Sequence, residues 1–383
     1  MKIVLSANTD WYLYNFRLSL TEELTRLGHE VLLISPAGKY GEKLVAMGYR
    51  WLPIPMDRRS LNPFKELALL LWLKNLFEKE EIDLVHGMTI KSAVYGAMAA
   101  RLAGIHARVL AVTGMGYVFT SNDIRARVLR PILRSLFKIA LSGNRTRLIL
   151  QNGDDVALFQ SAGLYDSEKV RVIPGSGVNC EKFRPSHRDT DQDELRVLLA
   201  ARLVRDKGVL EYVEAARQLR EDGRKIRFLL AGDPDPGNPS SIEKDLLEEW
   251  TRQGSVEWLG HVDDMPSLLA TIDVMVLPSY REGLPKGLIE AAACGIALVT
   301  TDVPGCHDVV THDVDGLLIP PKDPKAIASA VAKLQDDRQL RRRLGDAARR
   351  KAMCLYNERI IIGSTIDVYK EISSDCILSP ADY

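Results

Sequence analysis

The sequence predicts an α/β protein of two doubly wound, Rossmann-like domains facing a cleft. Three observations carry this. The 383 residues are enough for two domains that each bury a core. Short apolar runs of strand length alternate with amphipathic helical stretches, in two separate series. Between the series, residues 180–194 (Cys180-Glu181-Lys182-Phe183-Arg184-Pro185 through Asp193-Glu194) are polar and aperiodic, the best candidate for a linker.

The first series runs Ile3–Ala7, Val31–Ser35, Arg50–Ile54, Leu84–Gly87, Val109–Thr113, Leu148–Gln151 and Val170–Pro174. Helical stretches such as Asn15–Leu27 and Lys91–Leu102 fall between most of them. The second series is Val197–Ala201, Phe228–Gly232, Val256–Gly260, Val274–Leu277, Leu298–Thr300 and Leu317–Ile319. Regular βα alternation implies parallel sheets covered on both faces, and ligands favour the carboxyl ends of such strands. The expected division is 1–178 and 179–354, a C-terminal helix at about 355–372 packing back on the first domain, and a tail at 373–383. No repeat of solenoid period is present.

No segment reads as a membrane span or secretory signal. Lys2 to Ala7 is too short for a signal core and reads as a buried strand. The apolar run Leu67 to Leu73 is interrupted by Lys74, too short to cross a bilayer, and is expected as a core helix. Five scattered cysteines (Cys180, Cys294, Cys306, Cys354, Cys376) lack metal spacing and read as reduced thiols of a cytosolic protein. The zero net charge hides an asymmetry. Residues 1–150 carry 21 Lys and Arg against 12 Asp and Glu, and the remainder 30 against 39. A basic half joined to an acidic one points to an anionic partner for the first domain.

The segment Glu282-Gly283-Leu284-Pro285-Lys286-Gly287-Leu288-Ile289-Glu290 holds two carboxylates eight positions apart, after the strand Val274–Leu277 and Pro278-Ser279. Pro285 suits the first turn of a helix that ends at Gly295. Glu282 then lies on the preceding loop and Glu290 near the second turn, with helix-terminal N–H groups between them that can hold an anion. Spacing alone favours a solvent-facing glutamate on an ordinary α/β helix. Arg202 and Lys207 leave a strand at its carboxyl end, a fork and a point charge suited to a diphosphate, or else a solvated basic loop.

Together, Arg202, Lys207-Gly208, Ala231-Gly232, Pro278-Ser279, Glu282–Glu290 and Asp315-Gly316-Leu317 resemble, in this order, the retaining glycosyltransferases of family 4 with the GT-B fold. The resemblance covers nearly the whole chain and is strongest from Val170 to Pro320. Ser60-Leu61-Asn62-Pro63, Lys91-Ser92 and Val112-Thr113-Gly114-Met115-Gly116-Tyr117 are similar to bacterial members that extend undecaprenyl-diphosphate-linked sugars with N-acetylhexosamine or hexose. The resemblance implies a UDP-sugar donor and a polyprenyl-diphosphate-linked acceptor. It implies that Arg202 and Lys207 hold the donor diphosphate, Glu290 the ribose hydroxyls, and Glu282 the transferred sugar. The amides around Leu284, Pro285, Lys286 and Gly287 also meet that sugar, and Val262 meets the nucleobase through its backbone. Acceptor-side candidates are Asn8, Thr9, His86, Lys91, Gly114 and Gly116.

Two departures stand out. Many relatives have a glycine-rich turn where this chain has Ala7-Asn8-Thr9-Asp10, and many have a histidine where Gly114 stands. Front-face transfer needs no general base, so the protein's task is positioning and charge stabilisation. No cofactor or metal is expected. Asp233-Pro234-Asp235 fits an Asp-x-Asp pattern, but Asp189-Thr190-Asp191 and Asp191-Gln192-Asp193 fit it too. The stretch 124–147 sets Arg125, Arg127, Arg130, Arg134, Lys138, Arg145 and Arg147 among Val128, Leu129, Ile132, Leu133, Leu136 and Phe137. It reads as a basic amphipathic helix on an anionic membrane, or as a domain helix with one solvated face. The expected setting is the cytoplasmic face of the plasma membrane, without nucleic acid. Competing readings are a sugar-nucleotide epimerase of the same fold, a transferase with a soluble or lipopolysaccharide acceptor, a phosphorylase, a two-lobed solute-binding protein and an inactive scaffold. A phosphorylase needs a longer chain with a pyridoxal lysine. A solute-binding protein needs an export signal and has no use for Arg202 and Lys207.

Overall fold

The computed structural model describes residues 1–57, 60, 62–113, 124–164, 166–185 and 194–373. The chain divides into two compact units, Met1–Ser176 with the segment from Ile361, and Gly177–Ile360. In the first, β1 (Lys2–Ser6), α1 (Asp10–Phe16), α2 (Leu18–Arg26), β2 (Glu30–Ser35), α3 (Lys39–Ala46), β3 (Arg50–Pro53) and α4 (Pro63–Lys79) come in order. They are followed by β4 (Leu84–Met88), α5 (Ile90–Leu102), β5 (Ala107–Ala111), α6 (Ile124–Ala140), β6 (Thr146–Leu150), α7 (Gly153–Ser161) and β7 (Val170–Val172). The sheet is parallel, in the order β3-β2-β1-β4-β5-β6-β7, so the strand order reverses between β1 and β4.

The apolar runs explain that arrangement. Side chains alternate across a strand, and a sheet buried on both faces needs apolar residues at every position. Ile3, Leu5, Leu33 and Leu84 pack with helices α1 to α3 and the C-terminal helix. Val4, Leu32, Ile34 and Val85 pack with α4 and α5, while Leu110, Leu148 and Leu150 pack with α5, α6 and α7.

The second unit contains β8 (Leu195–Ala200), a 3₁₀ turn (Arg205–Lys207), α8 (Val209–Glu221), β9 (Ile226–Ala231), α9 (Lys244–Arg252), β10 (Glu257–Trp258) and α10 (Met265–Leu269). Next come β11 (Val274–Leu277), α11 (Lys286–Ala293), β12 (Ala297–Thr301), α12 (Cys306–Val309), β13 (Leu317–Ile319), α13 (Pro324–Asp336) and α14 (Arg338–Leu355). Its parallel sheet has the order β10-β9-β8-β11-β12-β13 and reverses between β8 and β11. The last helix, α15 (Glu358–Ile372), brings Ile361, Ile366, Val368 and Tyr369 into the core of the first unit.

Several expectations need correction. The helix at Asn15–Leu27 is two helices, because the backbone leaves helical geometry at Arg17 (φ −128°, ψ 1°). The aperiodic stretch is not wholly a linker: Phe183 is buried in the second unit's core, and half-buried Cys180 packs against it. Residues 186–193, with the Asp-x-Asp patterns at 189–193, and 374–383, with Cys376, lie outside the described residues. The run Leu67 to Leu73 is only half core. Leu69 and Leu73 are buried, while Leu67 and Leu71 face solvent. Among the described residues no helix is long and apolar enough to cross a membrane.

The stretch 124–147 is likewise not one helix, since α6 ends at Ala140 and Arg147 lies in β6. Arg147 is bound to Glu371 at 2.9 Å. On α6, Phe137 and Ala140 are core, whereas Val128, Ile132 and Ile139 are exposed beside exposed Arg127 and Lys138. The side chain of Arg125 lies outside the described set.

Candidate active site

The second unit gathers its candidate residues at the carboxyl edge of its sheet, around the reversal between β8 and β11, where open α/β sheets bind ligands. The chain leaving β8 runs through Arg202 into the Arg205–Lys207 turn. Gly208 follows with φ 70°, and a Cβ there would meet the Pro278 carbonyl oxygen at 2.2 Å. Only glycine lets this turn lie against the exit of β11. The Tyr280 amide donates to the Asp206 carbonyl at 2.9 Å, fastening the two loops together.

That approach brings Lys207 to Glu282. The Lys207 ammonium contacts Glu282 Oε1, which also accepts from Ser279 Oγ at 2.6 Å. Their side chains are 18% and 11% exposed, so the pair is screened less than a surface bridge. The Glu282 amide donates to Pro304 O at 3.0 Å. Gly305 closes the same loop: with φ 81°, a Cβ would meet the Glu282 carbonyl oxygen at 2.6 Å.

Arg202 points away from the ion pair of Lys207 and Glu282, to Asp235. It binds Asp235 at 2.7 Å, and Asp235 also accepts from Asn238 Nδ2 at 3.1 Å. Asp235 is thus engaged by neighbouring side chains.

Glu290 stands on the second turn of α11. Pro285 is the N-cap of this helix rather than part of its first turn, and its ψ of 101° is extended. Pro285 itself makes no side-chain cap bond, and the first turn begins at Lys286 and Gly287, directly after Leu284. Gly287 packs against the end of β8, where its Cβ position lies 3.4 Å from Ala200 O. Burial raises the Glu290 carboxyl above its ordinary range, opposed by the nearby cations Lys286 and Lys182. The Lys286 ammonium is 3.8 Å from Glu290. Val262 follows β10, half-buried on the same side of the sheet's core. Asp315 and Gly316 serve the fold: Asp315 accepts from the Thr311 amide at 2.6 Å, and Gly316 packs against Leu298.

In the first unit the described candidates each have a separate place in the fold. Thr9 Oγ1 caps α1 by accepting from the Tyr12 amide at 3.2 Å, and Asn8 precedes it, half-buried. The loop is tied to α3. The Asp10 carboxylate accepts from the amides of Tyr40 and Gly41 at 2.7 and 3.0 Å, occupying the place where a Cβ on Gly38 would stand.

His86 is a correction. It is 1% exposed, its Nδ1 lies 2.6 Å from Tyr369 Oη, and burial holds its pKa well below the ordinary value. A neutral ring locked between β4 and α15 does not face a ligand. Lys91 is also committed, to Glu66 at 2.7 Å and to the carbonyls of Asp57 and Ser60 at 2.6 and 3.1 Å. Gly114 to Tyr117 of the quoted motif, and Leu61, lie outside the described residues.

Sequence reasoning missed Ser279 as a Glu282 partner and Asp235 as the Arg202 partner. Ser279 was visible as the residue after a strand and proline; Asp235 was visible only as part of a doubtful metal pattern.

Residues 181–351 match the family model of glycosyl transferases group 1, and residues 2–152 match that of glycosyl transferase 4-like domains. The chain is 30% identical to the N,N′-diacetylbacillosaminyl-diphospho-undecaprenol alpha-1,3-N-acetylgalactosaminyltransferase of Campylobacter jejuni, over 97% of this chain and 99% of that protein. It is 28% identical to the UDP-Gal:alpha-D-GlcNAc-diphosphoundecaprenol alpha-1,3-galactosyltransferase of Escherichia coli, over 75% of each. The crystal structure of Anabaena HepE in complex with UDP and glucose shares the fold, with a TM-score of 0.78 at 20% identity over 97% of this chain and 99% of that one.

Proposed function

Because the chain belongs to the group 1 glycosyl transferases and has the GT-B fold, we propose that it moves a sugar from a UDP-sugar to an undecaprenyl-diphosphate-linked saccharide. The sugar is an N-acetylhexosamine such as GalNAc, or a hexose, and the product a lipid-linked intermediate of a bacterial surface or glycoprotein glycan. The observation that carries this reading is the meeting of Lys207 and Glu282 on the loop that leads into α11. A cation, a carboxylate and helix amides together suit a sugar diphosphate.

In this reading Lys207 and Arg202 take the diphosphate, Arg202 turning from Asp235 to do so. Glu290 accepts from the ribose hydroxyls, and the Val262 backbone meets the base. Glu282 and the amides of Leu284 to Gly287 orient the transferred sugar. An acceptor hydroxyl attacks C1 on the face the diphosphate leaves. The new bond joins the acceptor oxygen to C1, the C1–phosphate bond breaks, and the hydroxyl proton passes to the departing phosphate oxygen. UDP leaves, and the anomeric configuration is retained. In this scheme two cations and the helix end neutralise the charge growing on the diphosphate without a metal.

The acceptor's lipid argues for work at the inner face of the plasma membrane. Exposed Val128, Ile132 and Ile139 beside Arg127 and Lys138 on α6 suit a peripheral contact with anionic lipid. A screen of UDP-sugars against polyprenyl-diphosphate-linked saccharides, with and without EDTA, tests the proposal. Transfer to at least one lipid-linked acceptor, undiminished by chelation, is expected. Transfer only to soluble acceptors would replace the acceptor class, and loss restored by manganese or magnesium would bring in a metal.

A further inference from the structure

Helix α1 carries four aromatic residues among its seven: Trp11, Tyr12, Tyr14 and Phe16. It begins at the carboxyl end of β1, beside the β1/β4 reversal, which is the position where an open parallel sheet receives ligands. Tyr12 and Tyr14 pack against the unit's core. Trp11 does not: it is 40% exposed, although its backbone is held on both sides. Its amide donates to Asp10 Oδ1 at 2.8 Å, and its carbonyl accepts from Asn15 Nδ2 at 3.0 Å.

The ring is braced as well. Trp11 meets Phe16 edge to face at 5.2 Å between centroids, and Phe16 stacks on Tyr12 at 4.9 Å. Arg17, only 6% exposed, lies over the Tyr12 ring at 5.6 Å and donates to the Tyr12 hydroxyl at 3.0 Å. A large apolar ring fixed by its neighbours yet left open to water is a binding surface whose ordering cost has already been met. Half-buried Asn8 and Thr9 precede it in the chain, and half-buried Asn15 follows one turn later with its side-chain amide on the Trp11 carbonyl.

We propose that Trp11 is the platform on which the acceptor's terminal sugar ring stacks. The proposal rests on the glycosyltransferase reading above and adds the acceptor subsite to it. A pyranose presents one face of C–H groups, which pairs with an aromatic face, and a rim of hydroxyls, which pairs with amide and hydroxyl side chains. A lone braced indole with polar neighbours fits that chemistry. A lipid surface would call for several exposed apolar side chains beside cations, as on α6.

The test compares wild type, Trp11→Ala and Trp11→Phe, using N-acetylglucosaminyl-diphospho-undecaprenol and a short-prenyl analogue in detergent micelles. The expected result for Trp11→Ala is an acceptor KM raised roughly tenfold on both lipids. Turnover at saturation and UDP affinity should be near wild type, and Trp11→Phe should recover most of the loss. An unchanged acceptor KM in well-folded Trp11→Ala overturns the platform. So does a defect confined to the full-length lipid, which would assign the ring to the lipid, or a loss of UDP affinity, which would assign it to the nucleobase. Wild type that transfers to neither acceptor would sink the lipid-linked reading instead. The platform would then stand or fall on whether free N-acetylglucosamine quenches indole fluorescence in wild type more than in Trp11→Phe.

Discussion

Replacing Lys207 with alanine should separate catalysis from stability. In the resting protein the Lys207 ammonium contacts Glu282, which keeps a second donor in Ser279 Oγ at 2.6 Å. Removing the lysine therefore leaves a mostly buried carboxylate one partner short, a cost of about 1–3 kcal/mol. In a domain of this size each kcal/mol lowers the melting temperature by roughly 2–4 °C, so the fall should stay within about 12 °C. The effect on turnover should be far larger. A donor aimed at charge that develops in the transition state is worth roughly 100- to 1000-fold in kcat. Arg202→Ala provides the contrast: its side chain is 59% exposed, so the Asp235 pair contributes about 1 kcal/mol or less to stability. It should melt near wild type and still lose much of its turnover. The assay is UDP release at saturating donor and acceptor, with thermal melts on the same preparations. Both variants turning over within about threefold of wild type would refute the diphosphate role.

Other consequences follow from buried ionisable groups and from α6. Burial raises the folded pKa of Glu290 above its ordinary 4.5, so its contribution to stability is full below that pH and is lost as pH rises through the raised value. Glu290→Gln should therefore raise the melting temperature of the unliganded protein at pH 7.5 while weakening UDP in calorimetric titration; unchanged UDP affinity would remove Glu290 from the ribose. His86 is the opposite case. Its folded pKa lies well below 6.5, so stability should fall as pH drops below 6.5 and the unfolded chain takes up a proton that the folded one refuses. His86→Gln should flatten the melting temperature between pH 7.5 and 5.5, and an unaltered slope would count against the buried neutral ring. On α6, the exposed set Arg127→Glu, Lys138→Glu, Val128→Ser and Ile132→Ser should release the protein from anionic vesicles without altering UDP affinity. Co-sedimentation of this variant equal to wild type would end the role of α6.

Much of the fold could be read because its strands are apolar at consecutive positions. Val274–Leu277 and Leu317–Ile319 coincide with the expected runs, and most other strands differ only at their ends. At β10 the expected run Val256–Gly260 shrinks to Glu257–Trp258, and beyond it Gly260 turns at φ 64°. Local pattern could not reveal the break at Arg17, where the apolar periodicity of α1 and α2 continues across a residue that is not helical. Partners far apart in sequence were equally hidden. Lys207 and Glu282 stand 75 positions apart, and His86 and Tyr369 stand 283 apart. The exposure of Val128 and Ile132 was obscured for a related reason: helical spacing shows that a face is apolar, not that the core covers it.

Retaining transfer from a UDP-sugar to a lipid-linked saccharide, with the diphosphate held at Lys207 and Arg202, fixes both the mass and the stereochemistry of the product. The most direct measurement is the mass and anomeric configuration of the product formed from a UDP-α-sugar and a polyprenyl-diphosphate-linked N-acetylhexosamine, followed by NMR in wild type and in Lys207→Ala. Wild type is expected to give an acceptor one sugar heavier with an α linkage, and the variant almost none. A β-linked product, or equal product from both proteins, would contradict it.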